Sequence, residues 1–130
     1  MSDTRNEIVE IIHSESFDAT LHRVIDAITR KGMTIFAQID HAAGARAIGL
    51  AMPSSTVVIY GHPAGGTPLM LEAPRTALDL PLRVLVRADA EGKTAVSFRP
   101  IAPMLRQAGV PEALSNRLDP VQHLLVEALS

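Results

Sequence analysis

At 130 residues with 47% hydrophobic side chains, the chain is long enough for one domain with a real core and too short for two. A net charge of −2 and an aromatic content of 3% leave neither a basic footprint nor stacking platforms for bases, which argues against nucleic-acid binding. With no cysteine, disulfides, thiolate metal sites and a cysteine nucleophile are excluded.

No apolar run approaches the roughly 20 residues of a membrane span. The opening MSDTRNEIVE lacks the basic-then-apolar pattern of a signal peptide. The expectation is a single domain over residues 1–130, cytoplasmic and not embedded in a membrane.

Glu7–His13 (EIVEIIH) reads as a first strand, rich in β-branched residues. Ser16 then caps a helix in which Phe17, Leu21, Val24 and Ile28 form one apolar stripe, closed by Arg30, Lys31 and Gly32. Met33–Asp40 (MTIFAQID) alternates as a second strand, with Thr34, Phe36 and Gln38 on one face. His41–Leu50 is a short helix of small residues, with Asp40 placed to cap it. Ser55–Tyr60 (STVVIY) is continuously apolar, as a central strand covered on both faces is.

After Gly61–Met70 (GHPAGGTPLM), a short helix over Pro68–Ala73 is expected, with Pro68 in its first turn. Leu82–Ala88 and Thr94–Phe98 flank ADAEGK as an antiparallel hairpin. Ile101–Gln107 and Pro120–Leu129 read as closing helices, the last with Leu118, Val121, Leu125 and Leu129 along one side. The order βαβαβ(α)ββαα predicts an α+β two-layer sandwich, about five strands in a mixed sheet with helices packed on it. Its strand-helix-strand steps favour parallel crossovers.

Parallel strands would bring His13, His41 and His62 to one edge of the sheet, where open α/β sheets place their ligands. Three imidazoles can hold zinc, although no HxH or HExxH spacing supports a metal. His41 and Asp79 are candidates for acid–base work, Asp79 standing among leucines in LDLPL. Asp79 is equally explained by bonding backbone N–H groups in the turn before Pro81. Gly65-Gly66-Thr67 ahead of a Pro68 helix presents backbone N–H groups to a small anion, or else Thr67 is simply the N-cap. GxSxG is absent, and the methionines read as core fillers.

The blocks TIFAQIDHAAGA, VVIYGHPAGGTPLM and ALDLPLRVLV, in this order and spacing, resemble the bacterial and archaeal family known as domain of unknown function 302. The likeness runs from about residue 7 to about residue 100, leaving residues 101–129 as appended helices. It implies a compact α+β domain, dimerisation and cytoplasmic residence, and no established reaction or cofactor. Residues matching the family pattern are Asp40, His41, Gly61, Pro63, Gly66, Thr67, Pro68, Leu69, Met70, Asp79, Leu80 and Pro81. His62 departs from a position that resembles Asn in the family, and Ser97-Phe98-Arg99-Pro100 departs from a Tyr-x-Asp-Pro-like segment. Together these readings describe a homodimeric binding module for a small anionic metabolite. Gly61, Pro63, Gly66, Thr67, Pro68 and Met70 line its site. A small acid–base enzyme and a ligand-free interaction domain are the alternatives.

Overall fold

The computed structural model describes residues 7–130, so residues 1–6 of the opening segment lie outside it. The chain runs β1 (Val9–His13), α1 (Phe17–Arg30), β2 (Thr34–Asp40), α2 (His41–Ala47), β3 (Ser55–Gly61) and α3 (Pro63–Glu72). A 3-10 turn over Pro74–Leu78 leads to the hairpin β4 (Leu82–Ala88) and β5 (Thr94–Phe98). Then follow α4 (Ile101–Gln107), the single turn α5 (Glu112–Ser115) and α6 (Asp119–Ala128). The α+β class, the five strands and the two layers match the reading of the sequence.

The strand directions do not. The sheet order is β1-β5-β4-β3-β2 and every neighbouring pair is antiparallel, so the sheet is not mixed. Two helices account for this. With 7 residues and about 10 Å of length, α2 is too short to carry the chain back along β2, so β3 returns antiparallel beside it. The strand order is set by α1. Its 14 residues extend about 21 Å, close to the roughly 19 Å between the first and fifth strands of a sheet. The helix therefore carries the chain to the far edge. β1 and β2 run the same way but never pair, because three strands lie between them.

Caps and turns follow the local sequence. Ser16 Oγ accepts from Ala19 N at 3.2 Å, and Asp40 Oδ1 accepts from Ala43 N at 2.9 Å. Asp89 Oδ1 accepts from the N–H groups of Glu91 and Lys93, and Gly92 takes φ +80° to close the hairpin. Thr94 Oγ1 donates to the Glu15 carbonyl and ties β5 to the end of β1.

Burial along β3 alternates, with Thr56, Val58 and Tyr60 buried and Val57 and Ile59 only partly so. The expectation of a strand covered on both faces is thus corrected. Helices cover one face only, where Val24 and Ile28 of α1, Leu69 of α3, Leu105 of α4 and Leu125 of α6 join the core. Gln122 locks the closing helices together. Its carbonyl accepts from Ile101 N at 2.9 Å and its amide donates to the Arg99 carbonyl at 3.0 Å. The opposite face carries Val57, Ile59 and Leu85, with Ile12 and Ile39 exposed at its margins.

Candidate functional site

Antiparallel pairing scatters the histidines. Asp40 pairs with Thr56, so His41 sits at one end of β3, whereas His62 follows Gly61 at the other end. Six residues of extended chain put the two about 20 Å apart. His13 shares an end with His41 but lies on the opposite edge of the sheet, about 19 Å away across the strands. The convergence expected from parallel strands does not occur, and no metal-holding group of three ligand side chains exists among the described residues. His13 instead faces Glu15, its Nε2 lying 3.4 Å from Oε1, while Arg23 donates to the same oxygen at 2.6 Å.

His41 and Asp79 are also separated. Asp79 precedes β4 at Leu82, which pairs with Tyr60, so it belongs to the His62 end. His41 is exposed at the start of α2, a strand's length away. No acid–base pair forms between them. The Asp79 N–H donates to the Thr76 carbonyl at 2.9 Å, and its side chain takes no turn N–H among the described residues.

The Gly61–Met70 stretch folds differently from a loop followed by a helix at Pro68. Helix α3 begins at Pro63, and Pro68 lies inside it. His62 is the N-cap. Its Nδ1 accepts from Ala64 N at 3.0 Å, and its carbonyl accepts from the N–H groups of Gly65 at 2.9 Å and Gly66 at 3.1 Å. These N–H groups are therefore spent inside the helix and offer nothing to an anion, and Thr67 is not a cap. Because Nδ1 is an acceptor, the neutral imidazole carries its proton on Nε2 and has one donor to give.

What the stretch does build is a hollow. A cavity of about 310 Å³ lies between α3, the end of β3, the segment before β4 and α6. Gly61, His62, Pro63, Gly66, Thr67 and Met70 line it, as does Gly65; Pro68 does not. The rest of the wall is apolar and comes from Met33, Phe36, Leu80, Pro81, Leu82, Leu118 and Val121. His62 and Thr67 supply the only polar side chains among the described lining residues, and no charge faces in.

Two of these contributions break local rules. Phe36 reaches the wall because a bulge between Ile35 and Ala37 interrupts the alternation of β2. Its Cε2 lies 3.6 Å from where a Cβ on Gly61 would stand. Gly65 and Gly66 occupy helix interior, where each costs about 1 kcal/mol relative to alanine. Neither has the positive φ that would demand glycine. A Cβ at Gly65 would meet only Leu118 Cδ2 at 3.6 Å, and one at Gly66 only Leu80 Cδ1 and Met70 Cε at 3.8 Å. Alanine would fit at both.

Tyr60 borders this end with its side chain fully buried and its hydroxyl unpartnered. Burial pushes its pKa far above the ordinary tyrosine value, so it stays neutral.

The fold and the hollow define a two-layer α+β domain with an apolar cavity at one end of an antiparallel sheet. The chain belongs to the DUF302 family, a domain of unknown function whose sequence profile matches residues 9–130. The family likeness therefore extends past residue 100 through the closing helices, which supply Leu118 and Val121 to the cavity. A crystal structure of an uncharacterised conserved DUF302 protein from Bacillus stearothermophilus shares the fold, with a TM-score of 0.80, 15% identity and 94% of each chain covered.

Curated relatives are the fluoride-specific ion channel FluC 1 of Brucella suis, 37% identical over 86 residues, and a FluC 1 of Brucella abortus at the same identity. The match takes in 66% of this chain but 34% and 32% of those proteins, so the chain spans about a third of their length. Among the described residues no helix is long and apolar enough to cross a membrane.

Proposed function

We propose that this protein is a binding module for a small, largely apolar molecule held in the cavity beneath α3. The observation that carries this reading is the Gly65-Gly66 pair. It sacrifices about 1 kcal/mol of helix stability per glycine where alanine would fit, and the space it leaves is the lumen. The ligand is an apolar body with one acceptor, met by the Nε2 proton of His62 or the Thr67 hydroxyl. An anionic group finds no free N–H at Gly66. In this reading the matching third of the FluC proteins is a copy of the binding fold inside a longer chain, and their channel activity is not carried over.

The protein is further taken to be a cytoplasmic homodimer. Support comes from the unpaired edge strand β2, which leaves the large apolar side chains of Phe36 and Ile39 exposed.

Fluorescence titration with N-phenyl-1-naphthylamine, a neutral apolar probe, tests the cavity. The wild type binds it saturably, and Gly66→Leu, whose side chain fills the lumen, weakens binding at least about tenfold. Circular dichroism checks that the variant folds. Equal affinity in a folded Gly66→Leu protein overturns the reading.

A further inference from the structure

A second cavity, of about 480 Å³, lies at the end of the sheet where β4 starts and β5 ends, bounded by Ile101 and Met104 of α4. Its floor includes Val57 and Leu85, and its polar wall is made by Arg83, Arg99, Ser97 and Asp79. Arg83 lies in β4 and Arg99 just past the end of β5, and both line this cavity. Two like charges that line one hollow repel. Another arginine of β4, Arg87, is neutralised by Glu10 at 3.6 Å. Neither Arg83 nor Arg99 lies within ion-pair distance of a carboxylate among the described residues, Asp79 included.

A pair of guanidiniums lining one hollow is a receptor for an oxyanion. Each presents a planar fork of N–H donors that matches phosphate or carboxylate oxygens, and a bound anion converts their repulsion into attraction. We infer that Arg83 and Arg99 grip the phosphate or carboxylate of a small metabolite in this cavity. The Ser97 hydroxyl donates to the same group. Asp79, in the same wall, accepts from a hydroxyl or amine of the ligand, and the two arginines outweigh its single negative charge. This site shares only Leu82 with the lining of the apolar cavity beneath α3, and it stands whether or not that cavity binds anything.

Nuclear magnetic resonance titration of the ¹⁵N-labelled protein with inorganic phosphate, and separately with malonate, tests it against sodium chloride of equal ionic strength. Saturable shifts are expected at the amides of Arg83, Ser97 and Arg99. Arg83→Gln and Arg99→Gln, both at exposed positions, each weaken binding about tenfold or more, whereas Arg87→Gln leaves it unchanged. Saturation by phosphate alone assigns a phosphate ligand, and saturation by malonate alone assigns a carboxylate; either supports the site. Absence of saturation with both anions overturns it. So does an equal loss in Arg87→Gln, which would indicate a general effect of charge. The N-phenyl-1-naphthylamine affinity of Arg83→Gln stays at the wild-type value, which keeps the two sites distinguishable.

Discussion

The two ends of β3 are built from the same ingredients and do different things. At one end Asp40 caps α2 with its carboxylate, and His41 follows, exposed to solvent. At the other, His62 caps α3 with its imidazole, and the helix it starts encloses a hollow. The motif of strand, histidine and helix is common to both. The difference is made by what surrounds it: a glycine pair in the helix, a bulge that sets the half-exposed Phe36 at the cavity wall, and Leu118 and Val121 arriving from the far end of the chain. A histidine at a strand end marks a site only where neighbours leave room.

The sharpest way to break that contrast is to fill each helix in turn. Gly66→Leu should cost at least about tenfold in probe affinity, about 1.4 kcal/mol. Gly44→Leu, in α2 where a Cβ meets nothing within 4 Å, should cost nothing in the same titration. Equal losses would mean that the cavity is not the binding site.

Tyr60→Phe removes a buried hydroxyl that has no partner and should stabilise the protein by about 1 kcal/mol in urea unfolding. Destabilisation instead would place a water or ligand on that oxygen. At the opposite end of β3, Asp40→Ala should lose about 1 kcal/mol through its missing cap, with probe binding unchanged.

Gly65→Ala should gain about 0.5–1 kcal/mol in helix stability, because its Cβ makes only an ordinary contact with Leu118. A more stable variant that binds the probe less well would identify lumen space as the reason for glycine.

The smallest effect expected is electrostatic and belongs to the end without the cavity. The hydrogen bond from Arg23 holds the Glu15 carboxyl below its ordinary value of 4.5. A lowered folded-state pKa gives stability that is present above 4.5 and fades as pH falls through the folded value. Glu15→Gln should therefore melt below the wild type at about pH 6 and converge with it as pH falls through the lowered folded-state value.

Much of the fold could be read from local pattern. The stripe Val24–Ile28, the caps Ser16 and Asp40, and the ADAEGK turn each act over a few residues, and each stands where the sequence puts it. Strand direction and order could not, because they depend on how far α2 and α1 carry the chain relative to the length and width of the sheet, and periodicity carries no such information. The start of α3 was hidden because Gly65, Gly66 and Pro68 all disfavour helix locally, while the His62 cap and packing of Leu69 override them.

The candidate site was legible in half. Gly61, Pro63, Gly66, Thr67 and Met70 all line the cavity, but for a shape they leave, not for N–H groups they present. Phe36 escaped notice because a bulge reverses the face a strand pattern assigns. Leu118 and Val121 escaped because their nearness to α3 is a long-range consequence of the closing helices. Arg83 and Arg99 stand 16 positions apart in the chain, and only the folded chain brings both to one cavity.

The central claim is that one end of the sheet binds and the other does not. Its most direct test is to map the N-phenyl-1-naphthylamine contacts on the ¹⁵N-labelled wild type by amide shifts. The account predicts shifts that saturate together at Phe36, Gly65, Gly66, Leu118 and Val121, with Asp40–Ala47 unmoved. Saturable shifts centred on His41 and α2, or no saturable shift around α3, would contradict it.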